Sequence, residues 1–217
     1  MQGRLPVRET RMIVSAHQTN FLPGMSVVEK IRSADACIFL DEVTYSPHGW
    51  TNRNRMPDGS WLTVPVESGA MYQPLNRVRI SDSRDWRRQH CKTLRQHYGH
   101  TADAICDEIQ RPYRLLIGLN LACLQILLAD SDTSWHFQSH LDGGRTVTAV
   151  SDDREELLPI SARLALMVAE LGGTTYLSGP SGRNYLNEQP FHDLGIAVEY
   201  WQHQGANPCC LSELVAV

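Results

Sequence analysis

One stretch constrains this chain more than any other, Met12 to Gly24, MIVSAHQTNFLPG. Five small or apolar residues, Met12 to Ala16, stop abruptly at His17, Gln18, Thr19 and Asn20. Such a run reads as a buried strand that delivers a polar loop. Phe21-Leu22-Pro23-Gly24 turns the chain, and Ser26 is placed to cap a short helix from Val27 to Arg32. A second apolar run, Ala36 to Leu40, ends in Asp41-Glu42. Strand, polar loop, helix, strand and acidic loop make a βαβ unit. Loops that follow its strands lie at one rim of the sheet, where ligands bind. His17, Gln18, Asn20, Asp41 and Glu42 are therefore expected to meet at that rim.

The rest of the chain alternates in the same way. Trp61 to Val66 reads as an edge strand because of Pro65, after a Met56–Ser60 turn. In WTNRNR, an extended backbone puts Asn52 and Asn54 on one face and Arg53 and Arg55 on the other. Amides on one face and cations on the other could read and hold a charged ligand. Leu75 to Ile80 alternates like a half-buried strand. A helix is expected from Arg84 to Tyr98, its arginines Arg84, Arg87, Arg88 and Arg95 sharing a stripe that suits phosphate oxygens. Ala102 to Ala129 reads as helices broken at Pro112, the second a core helix. Asp130 to Asp153 is loop-rich. Asp152-Asp153 can cap a helix running from Arg154 to Leu171 and interrupted by Pro159. Thr174 to Ser178 and Ile196 to Trp201 are the last strands. Together these predict an α/β fold: a single domain over 12–217 with a mainly parallel central sheet flanked by helices, a β-hairpin-like insertion near 50–80, and a loose tail over 1–11.

Composition narrows the function classes. With 217 residues the chain can build one sizeable core. MQGRLPVRETR lacks the basic-apolar-small order of a signal segment, and Leu115 to Ala129 is too short to span a bilayer, so a cytoplasmic protein with no membrane partner is expected. Six cysteines without a CxxC read as buried thiols, with Cys209-Cys210 the exception. The net charge of −4 is uneven: residues 1–115 carry 16 Lys and Arg against 12 Asp and Glu, the remainder 4 against 12. A general nucleic-acid binder would be basic overall. A local arginine patch for one phosphorylated ligand fits better. His136 and His140 are spaced to share a helix face but lack a third ligand, so no obligatory metal is expected.

Three strand-to-loop transitions supply polar groups to the rim: His17-Gln18-Asn20, Asp41-Glu42, and Ser178-Gly179-Ser181-Gly182. Asp41 is expected to orient His17, leaving a base with a pKa near neutrality. Backbone N–H groups of the Gly-Ser turn can face an anion. No nucleophile elbow or paired cysteine stands out, so direct attack by an acceptor, with His17 as base, is the expected mechanism.

Six segments, AHQTNFLP, SADACIFLDEVTYS, WTNRNR, WLTVPV, WRRQHCKTLRQHY and TTYLSGPSGRNYL, resemble the WbqC-like proteins in order and spacing. The resemblance runs from about Ile13 to Val198. It implies an accessory enzyme of O-antigen or secondary-metabolite biosynthesis that transfers a glycyl-type group to an amine or hydroxyl. Thr19 and Gly24 stand where the family has Pro and Trp. The expected site is His17 and Asp41 for catalysis, with Gln18, Asn20, Asn52, Arg53, Asn54, Arg55, Arg87, Arg88, Ser178, Gly179, Ser181, Gly182 and Tyr185 binding substrate. No tightly held cofactor is expected; the partner is a small phosphorylated substrate, with a nucleotide, a carrier protein or an aminoacyl-tRNA as possible donor. Nucleotide-dependent ligation of the adenylate-forming kind is the alternative, although HxGH is lacking, and a non-catalytic binding protein is the third.

Overall fold

The computed structural model describes residues 11–145, 147–151 and 154–203, with the backbone alone at 145, 147–151 and 154–157. Residues 1–10, Asp152-Asp153 and Cys209-Cys210 therefore lie outside what is described. Five strands form one all-parallel sheet: β1 (Ile13–His17), β2 (Ala36–Phe39), β5 (Ser134–Phe137), β8 (Thr175–Ser178) and β9 (Ala197–Tyr200), in spatial order β5-β2-β1-β8-β9. The expected α/β architecture is present. A hairpin, β3 (Arg53–Arg55) with β4 (Trp61–Thr63), forms the insertion, and β6 (Val147–Ser151) pairs antiparallel with β7 (Arg154–Leu157).

Counting only the strands of the main sheet, the spatial order is 3-2-1-4-5. This is the doubly wound order, in which the chain leaves the centre first to one side and then to the other. The faces are covered accordingly. α1 (Met25–Arg32), α2 (Trp86–Tyr98), α3 (Asp103–Gln110) and α4 (Leu116–Leu127) build one core with Cys37 and Phe39 of β2. α6 (Ile160–Glu170) and α7 (Gln189–Asp193) build the other with Val14, Ala16, Ala36, Ile38 and Tyr176. Both faces of β1 and β2 are thus buried, which is why their sequences are continuous apolar runs instead of alternating ones.

Several expectations need correction. α1 starts at Met25 with Gly24, not Ser26, at its N-cap. Leu75–Ile80 is not a strand; Leu75–Arg77 is a 3-10 turn, and single bridges join Val66 to Ile80 and Arg79 to Leu115. The expected helix from Arg154 begins only at Ile160, because residues 154–157 are paired with β6 and Pro159 takes the N-cap in an extended conformation. Residues 134–137, assigned to a loop, are the sheet's fifth strand, so His136 does not share a helix face with His140. Phe39 holds this strand, meeting Trp135 edge-on at 5.1 Å. The Gly143-Gly144 pair belongs to a short helix, α5 (Asp142–Arg145), pressed so closely on α6 that a Cβ on Gly143 would lie 2.6 Å from Met167 N.

Candidate functional site

Every strand of the main sheet points the same way, so His17, Phe39, Phe137, Ser178 and Tyr200 all end at one rim. The topological switch lies between β1 and β8, the pair whose onward connections leave in opposite directions. His17 ends one of these strands and Ser178 the other.

The loop after β1 is held from three sides. Phe21 N donates to the carbonyls of Trp50 and Thr51, each at 3.2 Å. Asn54 Nδ2 donates to Leu22 O. Asn120, fully buried in α4, donates from Nδ2 to Thr19 O at 3.2 Å and to Thr51 O at 2.8 Å. Leu22 sits at φ 48°, where a side chain is strained, and this clasp keeps it there. Asn52 works alongside, its Nδ2 donating to Val64 O at 2.9 Å across the hairpin. The two amides expected to read ligand are therefore buried and fasten the loop to the insertion.

His17 is half-buried, and Asn20 Nδ2 lies 3.3 Å from its Nε2. An amide nitrogen only donates, so Nε2 accepts and the ring proton sits on Nδ1. Burial first, and then the charge of Lys30, push the His17 pKa down to about 3, far from the neutral value expected. Lys30 comes from α1, is 4% exposed and donates to Ala16 O at 2.9 Å. Its own pKa is lowered by desolvation. Behind it, Ser15 and Cys37 are fully buried, and burial pushes the Cys37 thiol up. The imidazole is thus neutral at physiological pH.

Asp41 does not orient His17. Its carboxylate accepts from Ser139 N at 3.0 Å, Ser139 Oγ at 2.5 Å and Asn76 Nδ2 at 3.3 Å, tying β2 to the turn after β5. Gln18 and Glu42 are exposed. On the β8 side, Ser178 is buried with its Oγ donating to Gly179 O at 3.2 Å, while Ser181 is exposed on a 3-10 turn over Pro180–Asn184. A Cβ on Gly182 would collide with Ser178 Oγ, so glycine is what lets this turn close against the strand. Tyr185 is 67% exposed. Arg183 lies 4.1 Å over the Tyr200 ring.

The arginines divide. Arg53 and Arg55 stand on the exposed side of the hairpin. Arg87 is spent internally, donating to Asp82, to the Ile109 and Arg111 carbonyls at 2.7 Å and to Tyr113 O at 3.2 Å. It pins α2 to the α3–α4 connection, whereas Arg88 is exposed beside Asp85. Sequence reading missed Asn120 and Lys30. Each had a signal: an amide inside an apolar helix, and a lysine in an amphipathic one. Among the described residues, no group of three or more His, Cys, Asp or Glu is placed to hold a metal ion, and no helix is long and apolar enough to cross a membrane.

The model of the WbqC-like protein family matches residues 18–208. The chain belongs to this family. A WbqC-family relative, the uncharacterized protein Rv1507c of Mycobacterium tuberculosis (strain ATCC 25618 / H37Rv), is 29% identical over 197 residues, covering 88% of this chain and 83% of the relative. No solved structure matches. The match begins at the loop that follows His17 and takes in the clasped turn.

Proposed function

We propose that this WbqC-like protein is a biosynthetic transferase that moves an acyl group of the glycyl type from an activated donor to an amine or hydroxyl. The observation that carries this reading is His17, a neutral imidazole at the topological switch whose Nε2 is occupied by Asn20. Such a ring offers its Nδ1 proton and is a poor resting proton acceptor. In acyl transfer the acceptor atom bonds to the carbonyl carbon, and the carbonyl oxygen gains negative charge. The bond to the leaving group then breaks, and the acceptor's proton passes to that group or to solvent. A neutral donor aimed at the oxygen stabilises this charge where it develops. His17 therefore acts as a hydrogen-bond donor, with Asn20 fixing its tautomer and Asp41 positioning the rim.

Turnover in His17→Ala should fall about a hundredfold or more, the scale of one lost oxyanion donor, with the fold intact. His17→Gln keeps an N–H and should retain more activity than His17→Ala. The assay follows acceptor mass when an aminoacyl-tRNA or a carrier-protein thioester is supplied with an amino sugar. Parental turnover in His17→Ala would remove His17 from the chemistry, and no acylated product from any activated donor would remove the transferase reading. Nucleotide-dependent ligation is the second reading, favoured by the 3-2-1-4-5 order, which binds nucleotides at its switch point in other doubly wound sheets. ATP-dependent release of pyrophosphate would distinguish it.

A further inference from the structure

Two tryptophans next to the clasped loop are left in solvent. Trp50 is 54% exposed and Trp61 46%, and their ring centroids lie 5.5 Å apart with planes tilted by 43°. Trp61 lies on the outer side of the hairpin, opposite Arg55 in register and diagonal to Arg53. The Arg53 guanidinium covers the Trp61 ring at 4.2 Å and is fixed there by bonds to Gly49 O at 3.2 Å and His48 O at 2.7 Å. Arg55 Nε donates to Gly59 O at 3.2 Å. Among the described residues neither arginine is held in an ion pair, so two positive charges flank the indoles without a carboxylate to neutralise them.

The position of the pair follows from the loop contacts. The Trp50 carbonyl is bonded to Phe21 N, four residues after His17. Large aromatic surface left in water beside a polar rim is the mark of a recognition site. Indole faces accept any flat ring, and flanking guanidiniums accept an anion. A neutral sugar would use the rings but not the charges, and an acidic peptide the charges but not two indoles. A nucleobase with its adjoining phosphate uses both.

We propose that Trp50, Trp61, Arg53 and Arg55 form a nucleobase-and-phosphate subsite beside the His17 rim. The inference deepens the transferase reading by naming the chemistry of one substrate: its handle is a nucleotide. That handle has two sources, a mononucleotide carrier or the single-stranded 3′ end of an RNA.

Titration of the full-length protein with AMP, UMP and an eight-nucleotide RNA ending in CCA, read by tryptophan fluorescence, tests the subsite. Quenching by the nucleotides is expected, with Trp50→Ala and Trp61→Ala each weakening binding about tenfold and Trp61→Phe largely restoring it. Arg55→Ala should flatten the salt dependence. RNA binding much tighter than either mononucleotide assigns the RNA source, and equal affinities assign the mononucleotide. Quenching by glucosamine but by neither nucleotide class would overturn the proposal in favour of a sugar platform. So would a Trp50→Ala change from dimer to monomer with nucleotide affinity unaltered. Binding is measured without turnover, so the two ideas fail separately. Transfer without nucleotide quenching sinks this inference alone, and quenching without transfer sinks the reaction.

Discussion

At the scale of single residues, two histidines are neutral for reasons of burial. His17 is pushed to about 3 and His90 to about 4, in both cases first by desolvation. His90 lies beneath the loop, 5.1 Å from Trp86 and 6.2 Å from Phe21. In the unfolded chain both would titrate near 6.5, so between that pH and 3–4 the unfolded state binds more protons than the folded one. Their stabilisation is complete above about pH 6.5 and is lost progressively as pH falls toward 4 and then 3. The melting temperature should decline across this window. His90→Gln should flatten that decline; an unchanged slope would show that His90 does not stay neutral in the folded state. A different residue runs the other way. The Cys91 thiol is held below its ordinary value, chiefly by a hydrogen bond with Cys106, against burial, with Gln110 Nε2 adding a bond at 3.3 Å. It lines a shallow surface depression with Arg88, Lys92 and Arg95. Alkylation of Cys91, mapped by mass spectrometry, should have its midpoint below the ordinary thiol value of about 8.5, and Cys106→Ala should move it upward. A parental midpoint at or above that value would reject the thiolate.

At the scale of elements, α4 does more than fill the core. Asn120 projects from it to hold two carbonyls of different segments, one in the His17 loop and one at the hairpin entry. Truncation would remove the Asn120 donor from buried Thr19 O and leave Thr51 O only the bond from Phe21 N. Asn120→Ala should cost about 1–3 kcal/mol, read from the urea midpoint, and should loosen the rim. A loss below about 1 kcal/mol would mean that the loop is kept in place without this clasp. The legibility of each element followed from its physics. β1 and β2 were readable because strands buried on both faces are apolar runs that end at turn residues, and β8 because its β-branched and aromatic residues run into a Gly-Pro turn. β5 was not: SWHF is a short edge strand, and only its tertiary pairing with β2, with the aromatic contact to Phe39, distinguishes it from a loop. β7 was taken for helix because REEL favours helix locally and its pairing with β6 is tertiary information. Strand direction alone put the ends of β1 and β8, and so His17 and Ser178, at one rim. Its electrostatics were not legible, since they depend first on tertiary burial of the imidazole and then on Lys30 of α1 nearby.

At the scale of the molecule, the sheet is assembled from distant pieces of chain. β1 is the central strand, yet Ile13 pairs with Thr175, and the next neighbour outward, β9, ends at Tyr200. Parallel pairing of this kind is intrinsically slow, because the intervening loop must close before any contact rewards it. During synthesis the first strand made acquires β2 early, but its other edge has no partner until Thr175–Ser178 has left the ribosome. Until then, the strand that carries His17 exposes an unpaired row of backbone donors and acceptors, open to pairing with any extended segment nearby. The rim that carries His17 is therefore begun about 160 residues before it is completed, and a nascent-chain chaperone would find its target in that interval.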